Sequence, residues 1–347
     1  MKIAILSFYS GTRLRGLETF IEDLSVRLRK NFKIQIFQLS GTGSISFDRS
    51  VPKILRKLYL DYYSIKILIF TIRVLKRLVR DKPDVIMPTN NGWQSILCKL
   101  YSSVFKIPMI LVGQAGPGWD DLVNLKLKPD RFITFSESQT EWARKNSSGV
   151  KIVNLPQGVN LKIFKKGVKP APLNLPRPII ICVSALDSYK RVNLVLQAVS
   201  RLKNASLLLV CYGSSRQIEL INSLGKKILG NRFLQTNVSY PQMPNYYCAA
   251  DLFTLVSDSR EAFGRVYLEA MSCNLPVVAT DDRLRREIIG KAGLFVKHAE
   301  NIDEYAGVLR EALKRNWGNL PEKQAINYSW EKICPKYQNI LESIKND

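Results

Sequence analysis

Two carboxylates frame the most chemically pointed stretch of the chain, residues 251–280 (DLFTLVSDSREAFGRVYLEAMSCNLPVVAT). Glu261 sits in a polar, turn-prone run. Glu269 follows eight positions later, and Phe263-Gly264-Arg265-Val266 lie between the two. A helix opening at Gly264 would present unpaired backbone N–H groups and a partial positive charge, which suits a phosphate. A glycine at that start lets the backbone approach a ligand closely. Glu269 is three residues beyond Val266 and so shares a face with the helix start. A carboxylate placed there can bridge the two hydroxyls of a ribose, as acidic residues do in dinucleotide sites. Glu261, ahead of the helix, would face whatever is attached beyond the phosphates. Taken alone, two acids at this spacing read equally as solvated residues on a parallel-sheet crossover.

The elements that must position these residues are a strand, a loop, a helix and a second strand. Leu252-Phe253-Thr254-Leu255-Val256 is an apolar run of strand formers. Val266, Leu268 and Met271 recur at helical spacing, Pro276 lies past the helix end, and Val277-Val278-Ala279 begins the next strand. Together these residues read S-x-x-x-E-x-F-G-x-x-x-x-E-A-M-x-x-x-x-P-V-V-A. That pattern resembles the E-x7-E region of retaining, family-4-type glycosyltransferases of the GT-B fold.

The resemblance extends over nearly the whole chain and implies further site residues. Residues 185–191 (ALDSYKR) are similar to the family's G-R-L-x-x-x-K-G, whose Arg and Lys hold the donor diphosphate. Lys190 is in register, Ala185 takes the Arg position, and Arg191 stands where Gly is usual. Arg15-Gly16-Leu17-Glu18 resembles the G-G-x-E loop that faces the donor phosphates and the acceptor. The loop after the strand at residues 107–112 (GQAGPGWDD) is rich in glycine, which leaves room for a ligand near the backbone. The family often has a histidine there. This chain's single histidine is His298, read as a surface residue, and Gln114, with Gly116 close by, holds the histidine's place. The resemblance thus implies Glu261 and Lys190 as catalytic. Glu269, Phe263, Gly264, Arg265, Val266, Arg191, Gly16 and Arg15 bind the donor, and Gln114 and Gly116 lie on the acceptor or sugar side. It implies neither a cofactor nor a metal, since Lys190 and a helix start take the ion's place beside the diphosphate.

Composition sets the outer bounds. A chain of 347 residues, 46% hydrophobic, suffices for two domains with real cores. The balance of 52 Lys and Arg against 29 Asp and Glu, a net charge of +23, favours an anionic partner: nucleic acid, acidic membrane or phosphorylated substrate. No nucleic-acid-binding module is recognisable, which removes the first. The six cysteines are scattered without a C-x-x-C, as in a reduced, cytoplasmic protein. The first residues, MKIAILSFYS, read as a strand and not as a signal peptide. Residues 51–80 are basic and apolar at once. Lys66, Arg73, Lys76, Arg77 and Arg80 share one helical face, and Leu68, Ile72, Leu75 and Val79 share another. Such a helix either packs on a sheet with its basic face in water or lies on an anionic membrane.

The expectation is therefore an α/β chain of the GT-B type, with two Rossmann-like doubly wound domains facing across a cleft. Residues 1–168 form the acceptor-binding domain and 169–320 the nucleotide-sugar-binding domain. Residues 321–347 form a helix that crosses back. The expected activity is retaining, metal-independent transfer of a sugar from a nucleoside-diphosphate sugar to an acceptor hydroxyl, in cell-surface glycan or glycolipid synthesis. The expected acceptor is lipid-linked or a glycan, and the expected location is the cytoplasmic side, peripheral at the inner face of the cell membrane. The alternatives are a donor-binding but inactive protein of the same fold and a basic membrane-surface binding protein.

Overall fold

Runs such as residues 179–185 (IIICVSA) are β-branched and apolar on both faces, and such strands are stable only inside a sheet covered on both sides. The computed structural model, which describes residues 1–10, 16–39 and 51–344, places them accordingly: every pairing between the described strands is parallel. Arg15 and the loop expected over residues 41–50 lie outside the described residues. The chain divides into two compact units, Met1–Gln157 with Ile333–Asp347, and Gly158–Lys332.

The first unit runs β1 (Lys2–Leu6), α1 (Gly16–Leu28), β2 (Lys33–Phe37), α2 (Lys53–Lys57), α3 (Tyr62–Arg80) and β3 (Val85–Pro88). It continues with α4 (Trp93–Phe105), β4 (Ile110–Val112), α5 (Trp119–Lys126), β5 (Arg131–Thr134), α6 (Glu137–Lys145) and β6 (Ile152–Asn154). The strands pair in the order β2-β1-β3 and β4-β5-β6, and a parallel bridge between Ile86 and Met109 joins the two sets. The core gathers Ala4, Leu6, Ile86, Met109, Leu111 and Phe132 from the strands with Val74, Leu78, Cys98 and Ala143 from the helices.

Helix α3 departs from the two-faced expectation. Asp61 caps it by accepting from the N–H groups of Tyr63 and Ser64 at 3.0 and 3.2 Å. Its core face is Thr71, Val74 and Leu78, flanked by half-buried Phe70 and Leu75. Ile65, Ile69, Ile72 and Val79 are exposed instead, at 37–47%. The apolar set named from the sequence is therefore split: Leu75 packs inward, whereas Ile72 and Val79 face solvent. The helix carries more apolar residues than one contact stripe can cover.

The second unit runs β7 (Ile179–Ala185), α7 (Val192–Ser200), β8 (Ser206–Tyr212), α8 (Ser215–Leu229), β9 (Phe233–Thr236) and α9 (Met243–Cys248). Then follow β10 (Leu252–Leu255), α10 (Arg265–Ser272), β11 (Val277–Thr280), α11 (Arg283–Ile289), β12 (Gly293–Val296), α12 (Ile302–Lys314) and α13 (Leu320–Ile326), and α14 (Trp330–Ser343) begins in this unit and continues in the first. The sheet order is β12-β11-β10-β7-β8-β9. The chain starts in the middle at β7, builds outward through β8 and β9, then returns to lay β10, β11 and β12 on the other side. The succession reverses between β7 and β10, and in such sheets ligands bind beyond the carboxyl ends of the strands at that point.

The units meet in sequence earlier than residue 168 and the return lies later than residue 321. Residues 158–164 belong to the second unit for a packing reason. Val159 forms a bridge with Ser329 and its N–H donates to the Tyr328 carbonyl at 2.9 Å. A Cβ on Gly158 would fall 2.4 Å from the Trp330 ring, so only glycine fits. The Pro-rich run that follows is held too, with Ala171 N–H donating to the Asn245 carbonyl at 2.9 Å. From Ile333 onward α14 belongs to the first unit, where the buried Tyr337 hydroxyl donates to the Leu155 carbonyl at 3.2 Å.

Candidate active site

The loop between β10 and α10 is pinned from several directions, and those pins fix Glu261. The Asp258 N–H donates to the Tyr189 carbonyl at 2.8 Å, and the Thr280 hydroxyl donates to the Ser257 carbonyl at 2.8 Å. Arg285, on α11 and 1% exposed, donates to the Ser257 hydroxyl at 2.7 Å and to the Asp258 carbonyl at 2.9 Å, and it pairs with Asp282. The Ser257 hydroxyl in turn donates to Glu261 Oε2 at 3.1 Å. In the sequence, residues 281–287 (DDRLRRE) are a bulky charged run. Its signal was available: Asp282 heads a helix just past a strand end, and Arg285 stands one turn later.

Lys190 meets Glu261 across 71 positions of sequence, with Nζ 2.5 Å from Oε2. A single 3-10 turn, Ser188–Lys190, follows β7 and carries the lysine to the strand end, its Nζ 5.0 Å from the centre of the Tyr189 ring. Both side chains are largely buried, 12% and 9% exposed. Burial alone would push the Glu261 carboxyl up. The Lys190 ammonium, the Arg285 guanidinium and the Ser257 hydroxyl outweigh that and hold it below the usual carboxylate range. Burial pulls Lys190 down, but Glu261 and Tyr189 more than offset it and raise it above the usual lysine value. The result is a buried charge pair beyond β7 and β10, at the reversal of the sheet.

Arg191 takes a different path. Its backbone is left-handed at φ 51°, which turns the side chain away from Lys190. The guanidinium donates to the Val256 carbonyl at 2.6 Å, the Ser257 carbonyl at 3.4 Å and the Thr280 hydroxyl at 3.3 Å, and pairs with Glu300. It ties β10 to β11. The donor-binding role expected for Arg191 finds its guanidinium engaged with these groups instead.

Gly264 precedes α10 with φ 88° and ψ 61°, a left-handed backbone, and a Cβ there would sit 2.5 Å from the Tyr267 ring. The N-cap position is this glycine, which has no side chain with which to cap the helix. Phe263 is buried edge-on against Tyr328, Val266 is half-buried, and buried Arg265 donates to the Tyr240 hydroxyl at 3.1 Å. Glu269 lies on the same helix, buried, and accepts from the Tyr247 hydroxyl at 3.0 Å. Tyr247 lies on α9, where burial and the neighbouring Glu269 both raise its hydroxyl well above the usual tyrosine value.

In the first unit, Gly16 is the first residue of α1, and among the described residues nothing outside its chain neighbours and its own helix backbone lies within 4 Å of where its Cβ would be. Gln114 is half-buried, and both its amide oxygen and its amide nitrogen are enclosed without a hydrogen-bond partner among the described residues. Gly116 has φ 75°, which favours glycine. Behind this loop stands Asp121, fully buried, which accepts from Gln139 at 3.4 Å while Gln139 also donates to the Gly113 carbonyl at 2.5 Å. Burial, aided by neighbouring Asp120, pushes the Asp121 carboxyl up to about 8 despite the donors from Gln139, Ala115 and Asn124. In the sequence Asp121 is visible only as the last residue of the Gly-rich loop GQAGPGWDD.

Among the described residues, no group of three or more His, Cys, Asp or Glu side chains is placed to hold a metal ion.

Residues 165–329 match the family described as Glycosyl transferases group 1. The chain is 27% identical over 214 residues to a GDP-mannose-dependent monoacylated alpha-(1-6)-phosphatidylinositol monomannoside mannosyltransferase of Corynebacterium glutamicum, covering 55% of this chain and 56% of that one. It is 28% identical over 219 residues to a D-inositol 3-phosphate glycosyltransferase of Mycolicibacterium smegmatis, covering 58% and 50%. The chain spans about half the length of the curated relatives it matches. The fold is similar over 99% of the chain to a sucrose-phosphate synthase from Thermosynechococcus elongatus, with a TM-score of 0.81, 18% identity and 98% of that chain covered. It is also similar to Anabaena HepE in complex with UDP and glucose, with a TM-score of 0.75, 15% identity and coverage of 99% and 100%. Residues 165–329, which hold Lys190, Glu261 and Glu269, thus match the glycosyl transferases group 1 family, and the chain has the GT-B fold of its structural neighbours.

Proposed function

We propose that the chain is a retaining glycosyltransferase that moves a sugar from a nucleoside-diphosphate sugar to an acceptor hydroxyl. One observation carries this reading. A buried lysine–carboxylate pair sits beyond β7 and β10, where the sheet reverses, beside the start of a helix that has glycine at its N-cap and carries a second buried carboxylate. The chemistry must stabilise a departing diphosphate and an oxocarbenium-like sugar. Lys190 and the N–H groups at the start of α10 bind the diphosphate as its charge grows. Glu261 takes the sugar hydroxyls and Glu269 the ribose diol. The leaving phosphate accepts the acceptor's proton on the same face, which preserves the anomeric configuration, and no metal takes part. Support for this donor class comes from a similar protein crystallised with UDP-glucose and from a relative described as GDP-mannose-dependent.

Gln114 and Gly116 serve the acceptor or sugar side, and Arg15 and Gly16 help to bind the donor. The acceptor is a lipid-linked molecule or a glycan in cell-surface or glycolipid synthesis. The protein works at the cytoplasmic face of the membrane, attached through Lys66, Arg73, Lys76, Arg77 and Arg80. Among the described residues no helix is long and apolar enough to cross a membrane. The exposed apolar residues of α3 beside these cations support attachment at the surface.

A panel of nucleotide sugars tests the donor assignment. One of them raises the melting temperature by mass action and is turned over, with retention, in excess chelator. No thermal shift with any donor sinks the reading, and turnover restored only by a divalent ion sinks the metal-free mechanism. A second reading, donor binding without turnover, is favoured by Ala185 and by the engagement of Arg191 elsewhere. A thermal shift with no product decides for it.

A further inference from the structure

Helix α2 and the turn after it expose a run of large apolar side chains. Ile54 is 66% exposed, Leu58 54%, Leu60 50% and Tyr62 63%, and Ile65 and Ile69 continue the run onto α3. Exposed apolar groups at this density are uncovered interaction surface and not ordinary scatter. Their surroundings name the partner. From residue 51 to residue 80 the only acidic residue is Asp61, and it is committed to capping α3. Arg56, Lys57 and Lys66 lie among the apolar side chains, and among the described residues none of the three is paired with a carboxylate. Apolar side chains interleaved with unneutralised cations complement an anionic bilayer, which offers acyl chains and phosphates at neighbouring depths.

The same segment is fastened to the Gly-rich loop. The Tyr59 hydroxyl donates to Asp120 Oδ1 at 2.8 Å, and Trp93 Nε1 donates to the Tyr59 carbonyl at 2.8 Å. Trp119 Nε1 donates to the Lys57 carbonyl at 3.1 Å, while the Lys57 ammonium lies 5.2 Å from the centre of the Trp119 ring. Tyr59 holds a left-handed backbone, φ 56°, and its ring occupies the space a Cβ on Gly92 would need. That strain persists only where the surroundings over-determine it. The segment is thus built to stay at one height relative to residues 113–121.

We infer that α2 and residues 58–62 seat in the interfacial layer of an anionic bilayer. The Tyr59–Asp120 and Trp119–Lys57 contacts then hold the loop of Gln114 and Gly116 at the bilayer surface. The acceptor is accordingly an amphiphile whose reacting hydroxyl stands close to the headgroups. The inference rests on the membrane reading above, but it moves the inserted element from the basic face of α3 to α2.

The test uses vesicles of phosphatidylcholine with phosphatidylglycerol, with and without brominated acyl chains. Trp119 is 46% exposed, and its emission is isolated by comparing the parent with Trp119→Phe. The parent binds the vesicles and its Trp119 emission is quenched by bromine. The variant Ile54→Ser, Leu58→Ser, Leu60→Ser keeps the parent's melting temperature, because all three side chains face solvent. It binds at least tenfold more weakly and loses the quenching. If that variant binds and is quenched as the parent is, while Arg73→Glu, Arg77→Glu, Arg80→Glu abolishes binding, α2 is not the inserted element and the membrane reading stands. If the parent leaves the vesicles in the supernatant, both fail.

Discussion

Glu261 in the second unit and Asp121 in the first are both buried carboxylates just beyond the carboxyl ends of parallel strands, yet they sit in opposite charge states. Glu261 faces Lys190 and Arg285 and accepts from Ser257, so it is ionised throughout the neutral range. No cation among the described residues acts on Asp121. Asp120 is its near neighbour, and its partners are the neutral groups of Gln139, Ala115 and Asn124, so it keeps its proton up to about pH 8. The contrast separates two uses of one side chain. A charged carboxylate held by a lysine can release that lysine to an incoming diphosphate and turn to the sugar. A neutral carboxyl can only fasten, and Asp121 fastens the loop that carries Gln114.

The pairing in the second unit gives the largest expected effect. Lys190→Met leaves Glu261 buried without its closest counter-charge. Removing one partner of such a pair costs about 3–5 kcal/mol of stability. Turnover falls to background, since Lys190 also binds the departing diphosphate. The double variant Lys190→Met, Glu261→Gln removes both charges and recovers most of the stability and none of the activity. Chemical denaturation of the two variants beside the parent checks this, and a double variant no more stable than the single one would break the charge-pair account. The pH window follows from the directions of the shifts. Glu261 is depressed, so its contribution is present above the unfolded carboxylate value and lost as pH falls through the folded one. Lys190 is raised, so its contribution is full below the unfolded lysine value and lost as pH rises through the folded one. The pair is intact across the neutral range between.

Asp121 gives the next effect and the opposite slope. Unfolded, it loses its proton near the ordinary carboxylate value of about 4. Folded, it keeps the proton to about 8. Between those values the unfolded state binds fewer protons, so stability declines as pH rises and levels off above the folded value. At about 1.36 kcal/mol per unit, the decline between pH ~5 and pH ~8 is on the order of 2–4 kcal/mol. Asp121→Asn imitates the protonated form and flattens that slope. Melting temperatures across the interval read it directly, and equal slopes for parent and variant would place a counter-charge beside Asp121.

These two sites also mark what the sequence discloses. The strand, loop and helix from β10 to α10 are legible because each element is signalled locally, by β-formers, polar turn residues and helical spacing. Gly264 is legible for the same reason, and its left-handed backbone supplies the physical requirement. The Lys190–Glu261 contact joins residues far apart in the chain, so register with a known pattern could suggest both side chains but not their meeting. Arg191 shows the limit most plainly. Its charge is visible in the sequence, whereas the φ of 51° that sends the guanidinium to the Val256 and Ser257 carbonyls is not. The same holds for α3: helical spacing predicts stripes of residues, but only the neighbours decide that Leu78 is covered and Val79 is left in solvent. The boundary at Gly158 depends on a Trp330 ring that packs against it from the far end of the unit.

Glu269 carries the smallest of the three effects and sharpens the comparison most finely, because it is a third buried carboxylate with yet another kind of partner. It faces the Tyr247 hydroxyl at 3.0 Å, a neutral donor like those around Asp121, yet its proposed task is to bind, as with Glu261. Glu269→Ala removes the acceptor for the ribose diol and weakens nucleoside diphosphate binding by about 1–3 kcal/mol, the worth of hydrogen bonds to a charged group. It also leaves the buried Tyr247 hydroxyl without this acceptor, so part of any stability loss belongs to the tyrosine and not to the site. Tyr247→Phe, alone and combined with Glu269→Ala, separates the two. If Glu269 binds ribose, Tyr247→Phe leaves affinity for the diphosphate nearly unchanged, and the double variant regains stability without regaining affinity. Calorimetric titration with nucleoside diphosphates measures the affinities. An affinity of Glu269→Ala equal to the parent's would remove Glu269 from the donor site and leave it, like Asp121, as a group that holds two elements of its unit together.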